Sequence, residues 1–320
     1  MQALVPTGRE GKLVSLAGDV AEPAPQPDEV VIAVEAFSIN RGETFLLEAP
    51  KTGWRPGKDV AGRVVGAAAN GRGPGVGTRV VAHADHSGWA QRVAVSVEGV
   101  ATLPEEVAFD VAAALPLAGL TALRLLRYAG PLASRRLLIT GASGGVGHYL
   151  VEMAAQQGAR VSVVTSSAER GARLLELGAV ELVHDVADAH GTFDVVMESV
   201  GGEGLMEALR RVAADGLVVW FGQASRDRPA LDFLDWDVPV GATLRRFGYQ
   251  PSTITDATDL ATLVRLVAAD RLHPEIGLRQ DWATTAEALE ALIHRRVRGN
   301  AVLNLPSAAV AAPAEQESAA

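Results

Sequence analysis

Four glycines in seven residues, Gly141, Gly144, Gly145 and Gly147, follow a short apolar run at 137–140. With Ala142, Ser143 and Val146 among them they form a turn of the kind whose backbone N–H groups, and the helix start behind them, can approach a pyrophosphate. Val146, Leu150, Met153 and Ala154 lie on one face of the helix this spacing predicts. Gly158 ends that helix, and Val161, Val163 and Val164 open a second buried strand. The pattern departs from strict G-x-G-x-x-G, because Ala142 stands at the first glycine position. A purely structural turn is the alternative, with Gly147 serving close helix–strand packing. The order strand, turn, helix, strand favours dinucleotide binding.

Past the second strand stand Ser166 and Ser167, then Arg170, with no acid to hold a ribose 2′-OH. A guanidinium there can bond phosphate oxygens. A local reading competes: Ser166 and Glu169 as a capping box, with Arg170 a solvated helix residue. His83, Asp85 and His86 have ligand types that suit zinc at a spacing that fits no zinc motif; solvated loop side chains are the alternative. The chain has no cysteine, which excludes disulfides, cysteine nucleophiles and Cys-ligated zinc. No Ser-Lys, Ser-His-Asp or paired-carboxylate constellation stands out.

The elements that must position these residues fall into two kinds. Residues 1 to about 110 are mainly β, with apolar strands at 30–34, 62–66, 79–82 and 93–97 between glycine and proline turns. The glycine-rich 70–77 is followed by a strand and reads as a surface turn. A helical period runs over 109–128, capped by Asp110 and interrupted by Pro116. Then strands at 137–140, 161–164, 181–183, 193–197 and 216–221 alternate with helices at 146–157, 168–177 and 204–213. Such alternation predicts an α/β fold with a doubly wound parallel sheet. Helices at 258–269 and 286–293 and a strand at 301–305 follow, and an Ala, Ser, Glu and Pro tail is expected to be disordered. Size, 320 residues, suits about two domains, and a net charge of −9 argues against nucleic acid. No apolar run is long enough to span a bilayer and no signal peptide opens the chain, so a cytoplasmic location is expected.

Several local motifs together resemble the medium-chain dehydrogenase/reductase superfamily. They are VEAFSIN (34–40), PGKDVAG (56–62), LPLAGLTA (115–122), GASGGVG (141–147), ESVG (198–201) and Phe221-Gly222. The zinc-free quinone oxidoreductases, zeta-crystallin-like, are the most similar branch. The resemblance implies a Rossmann domain (113–252), a β-rich GroES-like catalytic domain (1–112 and 253–305) and a tail (306–320). It implies hydride transfer from NADPH to a quinone or activated alkene as small-molecule substrate, without zinc, in a homodimer. A 2-enoyl thioester reductase and a non-catalytic NADPH-binding sensor are the alternatives. The zinc dehydrogenases have a Cys where Asn40 stands, and their Gly-His-Glu is Gly57-Lys58-Asp59 here.

The resemblance also implies site residues. Asn40 faces the nicotinamide pocket, where its amide can bond a substrate carbonyl; the alternative is a cap for the turn at Arg41. Thr121, Ser199, Val200, Phe221 and Gly222 lie at the cofactor, and Ser166, Ser167 and Arg170 at the 2′-phosphate. The family's tyrosine near the adenosine is replaced by His184-Asp185, and its Gly-Lys near the last strand by Gly299-Asn300, where Asn300 can still bond the cofactor. Arg41, Phe45, Trp54, Trp89, Phe247 and Tyr249 are expected around the substrate. Phe45 stands where some relatives carry a tyrosine, and it has no proton to give. Ordinary packing is the alternative for each aromatic residue, and a loop or a subunit contact for Trp236.

Overall fold

The computed structural model describes residues 1–306 apart from 10, 233 and 250–252. The expected tail, beyond Pro306, lies outside the described residues. Strands β1 (Ala3–Arg9) and β2 (Lys12–Ala17) pair as an antiparallel hairpin. Next come β3 (Glu29–Ile39), α1 (Arg41–Glu48), β4 (Asp59–Gly66), β5 (Arg79–His83), β6 (Arg92–Ser96) and β7 (Val100–Thr102). Helices α2 (Phe109–Ala113) and α3 (Pro116–Ala129) lead into the alternating half. That half runs β8 (Arg136–Ile139), α4 (Gly145–Gln156), β9 (Arg160–Val164), α5 (Ala168–Glu176), β10 (Ala179–Val183), β11 (Phe193–Glu198), α6 (Glu203–Arg211), β12 (Val212–Trp220) and β13 (Thr243–Arg246). The chain closes with α7 (Asp256–Ala268), β14 (Ile276–Asp281), α8 (Thr285–Ile293) and β15 (Asn300–Asn304).

The alternating half forms one parallel sheet in the order β10-β9-β8-β11-β12-β13. Its strand order reverses between β8 and β11, which leaves a crevice at the carboxyl ends of those strands. The other sheet has the order β14-β15-β3-β4-β5-β7, with β6 also on β3. The final strand β15 runs antiparallel to β3, with Ala301 opposite Ile39. This return brings residues 299–300 beside Asn40. Gly299 also bridges Gly144, and its N–H donates to the Ser143 carbonyl at 2.9 Å. The glycine turn of one sheet is thereby stitched to the other, and a shared core containing Ala36, Val81, Leu137, Ile139 and Leu263 continues between them.

Some boundaries differ from the sequence reading. Pro116 sits in the first turn of a new helix, where its missing N–H costs nothing. Asp110 is inside α2 rather than its cap; Ala108 holds that position, and the Asp110 carboxylate pairs with Arg279. Helix α6 stops at Arg211, so Val212 and Ala213 already belong to β12. The hairpin β1–β2, helix α1 and strands β13 and β14 were not apparent, because short half-exposed segments carry no clear period. Among the described residues no helix is long and apolar enough to cross a membrane.

Candidate active site

The crevice has a volume of about 460 Å³ and lies along the glycine turn. Ser143, Gly144, Gly145 and Val146 line it. The glycines of this turn have different jobs. Gly141 takes φ +60°, which a side chain disfavours. A Cβ on Gly147 would stand 2.2 Å from the Ala142 carbonyl oxygen, so Gly147 does serve close packing, and Ala142 is buried beneath the helix. A Cβ on Gly145 would meet Asn300 Oδ1 at 2.5 Å. Gly144 alone faces open space, with nothing nearer than 3.4 Å and an ordinary extended backbone, φ −83° and ψ 175°. The turn thus presents bare backbone and the start of α4 to the crevice, a cradle suited to a pyrophosphate.

Beyond the β9 tip, Ser166, Arg170 and His184 line one end. Ser167, not Ser166, caps α5, accepting the Arg170 N–H at 3.3 Å. The capping box of Ser166 with Glu169 is therefore absent, and Ser166 faces the crevice. Arg170 also lines it and is half-buried rather than free in solvent: it donates to Ser143 Oγ at 3.1 Å and to the carbonyls of Arg295 and Val297 at 2.9 and 2.8 Å. Burial, then Arg298 and Arg295 nearby, lowers its pKa from the ordinary arginine value. His184 Nδ1 lies 2.9 Å from the Thr165 carbonyl, which requires the proton there. Asp185 is occupied in capping a short 3-10 turn.

At the other end, beyond β11 and β12, stand Asn40, Arg41, Val200, Ala224 and Leu292, while Arg295 spans the two ends, its carbonyl on Arg170 and its guanidinium on the Ala224 carbonyl. Asn40 holds the N-cap position of α1 and also lines the crevice. Its Nδ2 donates to Asp59 Oδ2 at 2.7 Å. Asp59 is fully buried and accepts also from Ser38 Oγ at 2.7 Å and the Leu117 N–H at 2.9 Å. An amide nitrogen carries two protons, so one remains for a ligand while Asp59 fixes the plane. Glu43 backs this arrangement, accepting the N–H groups of Asn40 and Gly57 at 3.0 and 2.9 Å.

Burial, then the Asp59 charge, pushes Glu43 up to about 7. The folded protein therefore keeps a proton that the unfolded chain, with an ordinary Glu near 4.3, releases earlier. The stability this proton confers is complete below pH ~4 and is lost as pH rises through about 7. We predict that the melting temperature falls between about pH 4.5 and 7 and levels off above, and that Glu43→Gln flattens the slope. Parallel slopes for the two proteins would remove Glu43 from this role.

Other expected site residues sit further from the crevice. Ser199 holds the β8 tip, giving Oγ–H to the Thr140 carbonyl at 3.0 Å, and Gly222 packs against it. Phe221 joins the shared core, and Thr121 on α3 does not line the crevice. Four of the aromatic residues expected around the substrate are absent from the crevice lining, and of these Trp89 is excluded by its burial. Trp89 is wholly buried, stacked on Phe37 at 5.5 Å, with its indole N–H on the Ser38 carbonyl. Trp54 packs on the same core, and Phe247 meets Tyr128 edge-on. Tyr249 bonds Asp256 at 3.1 Å and lies under Arg124. Phe45 also lies outside the crevice lining, its ring contacted by the guanidinium groups of Arg41 and Arg226. Their neighbours were set by long-range packing that no local motif records.

The zinc-like cluster is dispersed as well. His83 Nδ1 pairs with Asp256 at 2.6 Å, and His86 Nδ1 pairs with Ser87 at 2.7 Å. Among the described residues no group of three or more His, Cys, Asp or Glu is arranged to hold a metal. The sequence reading missed Arg295 and Glu198 in the crevice wall. Glu198 is buried at the β11 tip and accepts the Val200 and Gly201 N–H groups. Its place within the ESVG motif was the available signal; Arg295, in a run of arginines, offered none.

A parallel sheet with a glycine crevice at its switch point, closed by a β-rich lobe, defines a medium-chain dehydrogenase/reductase. Residues 145–268 match the family model described as zinc-binding dehydrogenase. The quinone oxidoreductase of Mus musculus is 30% identical over 231 residues, 66% of this chain and 70% of that one. That of Sus scrofa is 28% identical over 304 residues, 89% of this chain and 91% of that one. A mycobacterial structure complexed with NADPH superposes with a TM-score of 0.83 at 25% identity, covering 95% of this chain and all, 100%, of that one. The chain belongs to the quinone oxidoreductase branch of this superfamily.

Proposed function

We propose that the protein is an NADPH-dependent oxidoreductase that passes a hydride to a quinone or an activated alkene without zinc. The observation that carries this is the crevice itself. It runs from an open glycine turn and a guanidinium at the β9 tip to an oriented amide at Asn40. The chain's residues fit the cofactor: Gly144 leaves room for phosphate, and Arg170 has no carboxylate partner among the described residues. When bound, NADPH supplies the hydride. The protein then has to hold the acceptor carbonyl on the free Asn40 N–H and exclude water with Ile39, Val200 and Leu292. No side chain is assigned as proton donor, and water can supply that proton to a reduced quinone. The test is NADPH oxidation under air with 1,2- and 1,4-quinones, enals, enones and enoyl thioesters. Cofactor binding with no turnover on any of them would leave a sensor. Turnover confined to enoyl thioesters would assign the rival reductase activity.

Zinc independence rests on Asn40 and Lys58 at two ligand positions of the zinc enzymes and on the absence of cysteine. Stoichiometric zinc whose chelation abolishes turnover would overturn it. A cytoplasmic homodimer is also proposed. Among the described residues strand β13 is paired on one side only, and Trp236 and Val240, which precede it in the chain, are 86% and 88% exposed. Sedimentation at micromolar concentration decides this; a monomer sinks the dimer.

Preference for NADPH over NADH rests on Arg170 with Ser166 and His184 and on the missing acid. Arg170→Ala should cost NADPH about 1–3 kcal/mol, the scale of a lost charge-assisted hydrogen bond. NADH should lose less, but not nothing, because Arg170 also ties Ser143 to the carbonyls of Arg295 and Val297. Equal losses in fluorescence titrations would take Arg170 off the 2′-phosphate.

A further inference from the structure

The crevice carries more positive charge at its far end than a neutral quinone would need. Arg41 follows Asn40 on α1 and lines the wall with Ala224 and Leu292. It makes two long bonds, to the Leu292 carbonyl at 3.3 Å and the Ala224 carbonyl at 3.5 Å. Its Nε is buried without a partner. Arg295 reaches the same Ala224 carbonyl at 3.3 Å. Among the described residues neither guanidinium has a carboxylate partner, whereas neighbouring Arg226 is held by both oxygens of Glu48. Burial, then Arg295 and Arg226, lowers the Arg41 pKa from the ordinary arginine value. Unmatched charge in a partly buried wall costs free energy until an anion enters.

Two anions could answer this demand: a phosphate of the cofactor or a charged group on the acceptor. Strand order separates them. A dinucleotide laid across the switch point has its adenosine end over β9, where Arg170 sits, and its far end over β11 and β12. Ala224 follows β12, so Arg41 lies at the far end, beside Asn40 and the apolar Ile39 and Val200.

We propose that the hydride acceptor is an anionic one: a flat apolar body bearing a carboxylate, sulfonate or similar group seated on Arg41, with Arg295 adding to the field. The proposal rests on the hydride-transfer reading above and deepens it. The reaction balance is ordinary: the acceptor gains one C–H or O–H bond from the hydride and one proton from water, and the cofactor is oxidised.

The test compares 1,2-naphthoquinone with its 4-sulfonate. The ratio of kcat/KM for the sulfonate to that for the neutral quinone is measured for the wild type, Arg41→Gln and Arg41→Lys, so that intrinsic reactivity cancels. The ratio should fall at least tenfold in Arg41→Gln and be partly kept in Arg41→Lys. In the wild type the KM for the sulfonate should rise with ionic strength while that for the neutral quinone stays level, a readout independent of the variants. An unchanged ratio, or no salt effect, overturns the proposal. Weaker NADPH binding in Arg41→Gln with the ratio unchanged gives Arg41 to a cofactor phosphate and also overturns it. If neither quinone is reduced, naphthalene-1-sulfonate binding to the NADP⁺ complex takes over, read by fluorescence. Binding that Arg41→Gln loses keeps the anion site while the panel of enals, enones and enoyl thioesters decides the hydride reading separately; no binding overturns the anion site.

Discussion

Gly144→Val should abolish NADPH binding in a protein that folds normally. At this residue φ is −83° and ψ 175°, extended backbone that valine adopts readily, so the turn itself is not strained. Its Cβ meets nothing closer than the Gly141 carbonyl oxygen at 3.4 Å. The added methyls therefore stand in the crevice, where the pyrophosphate must come close to the backbone. A loss of affinity of 100-fold or more is expected, about 3 kcal/mol. The neighbouring glycines do not offer this separation. Valine at Gly147 would collide with the Ala142 carbonyl at 2.2 Å, and at Gly145 with the Asn300 amide at 2.5 Å, so either change disturbs folding too. Cofactor titration by fluorescence, with circular dichroism and melting temperature as controls, gives the answer. Unchanged affinity in a folded Gly144→Val protein would show that the turn does not hold the cofactor.

The second large effect is on stability. Arg124 on α3 is 6% exposed and joins three elements. Its Nε meets Asp259 at 3.0 Å and its Nη2 meets Asp256, both on α7, and its face covers the Tyr249 ring at 5.0 Å. Asp256 in turn holds His83 at the end of β5. Although burial alone would raise the Asp256 pKa, His83 and Arg124 bring it to about 2. Removing the guanidinium leaves Asp259, wholly buried, with Arg127 alone. Breaking a buried pair on one side costs about 3–5 kcal/mol. Arg124→Ala should thus lower the melting temperature by on the order of 10 °C in a chain of this length. Arg124→Met with Asp259→Leu should recover part of the loss, because the stranded charge is gone. A denaturation midpoint for Arg124→Ala within error of the wild type would mean that the network contributes nothing net.

Much of the cofactor side of the site was legible locally. A glycine turn, a following helix and a second strand are consecutive in the chain, so the residues that meet a dinucleotide backbone are also neighbours in sequence. Gly141, Ser143 to Val146, Ser166 and Arg170, which line the crevice, could be picked out for that reason, although the capping serine is Ser167 rather than Ser166. Of the opposite wall, Asn40, Arg41 and Val200 were named from local motifs, but the rest was not legible in the same way. Ala224 on one side, and Leu292 with Arg295 on another, come from two stretches far from Arg41 and meet it only because β15 returns to β3 and the segment after β12 reaches the crevice. Apolar rings illustrate the same limit. Trp89 has the chemistry of a stacking wall, yet the free energy of burying its whole surface placed it under β3 instead.

The sequence by itself determined the parallel sheet, the bare turn at its switch point, the absence of cysteine ligands and the lack of an acid for a ribose hydroxyl. Each of these depends on residue type and local period. Only the tertiary structure decided that Asp59 orients the Asn40 amide, that Arg170 ties Ser143 to the carbonyls of residues 295 and 297, and that Arg41 and Arg295 share one carbonyl with no carboxylate partner among the described residues. Those facts depend on which surfaces two separate sheets bury against each other, and burial is a sum over the whole chain that no short stretch encodes.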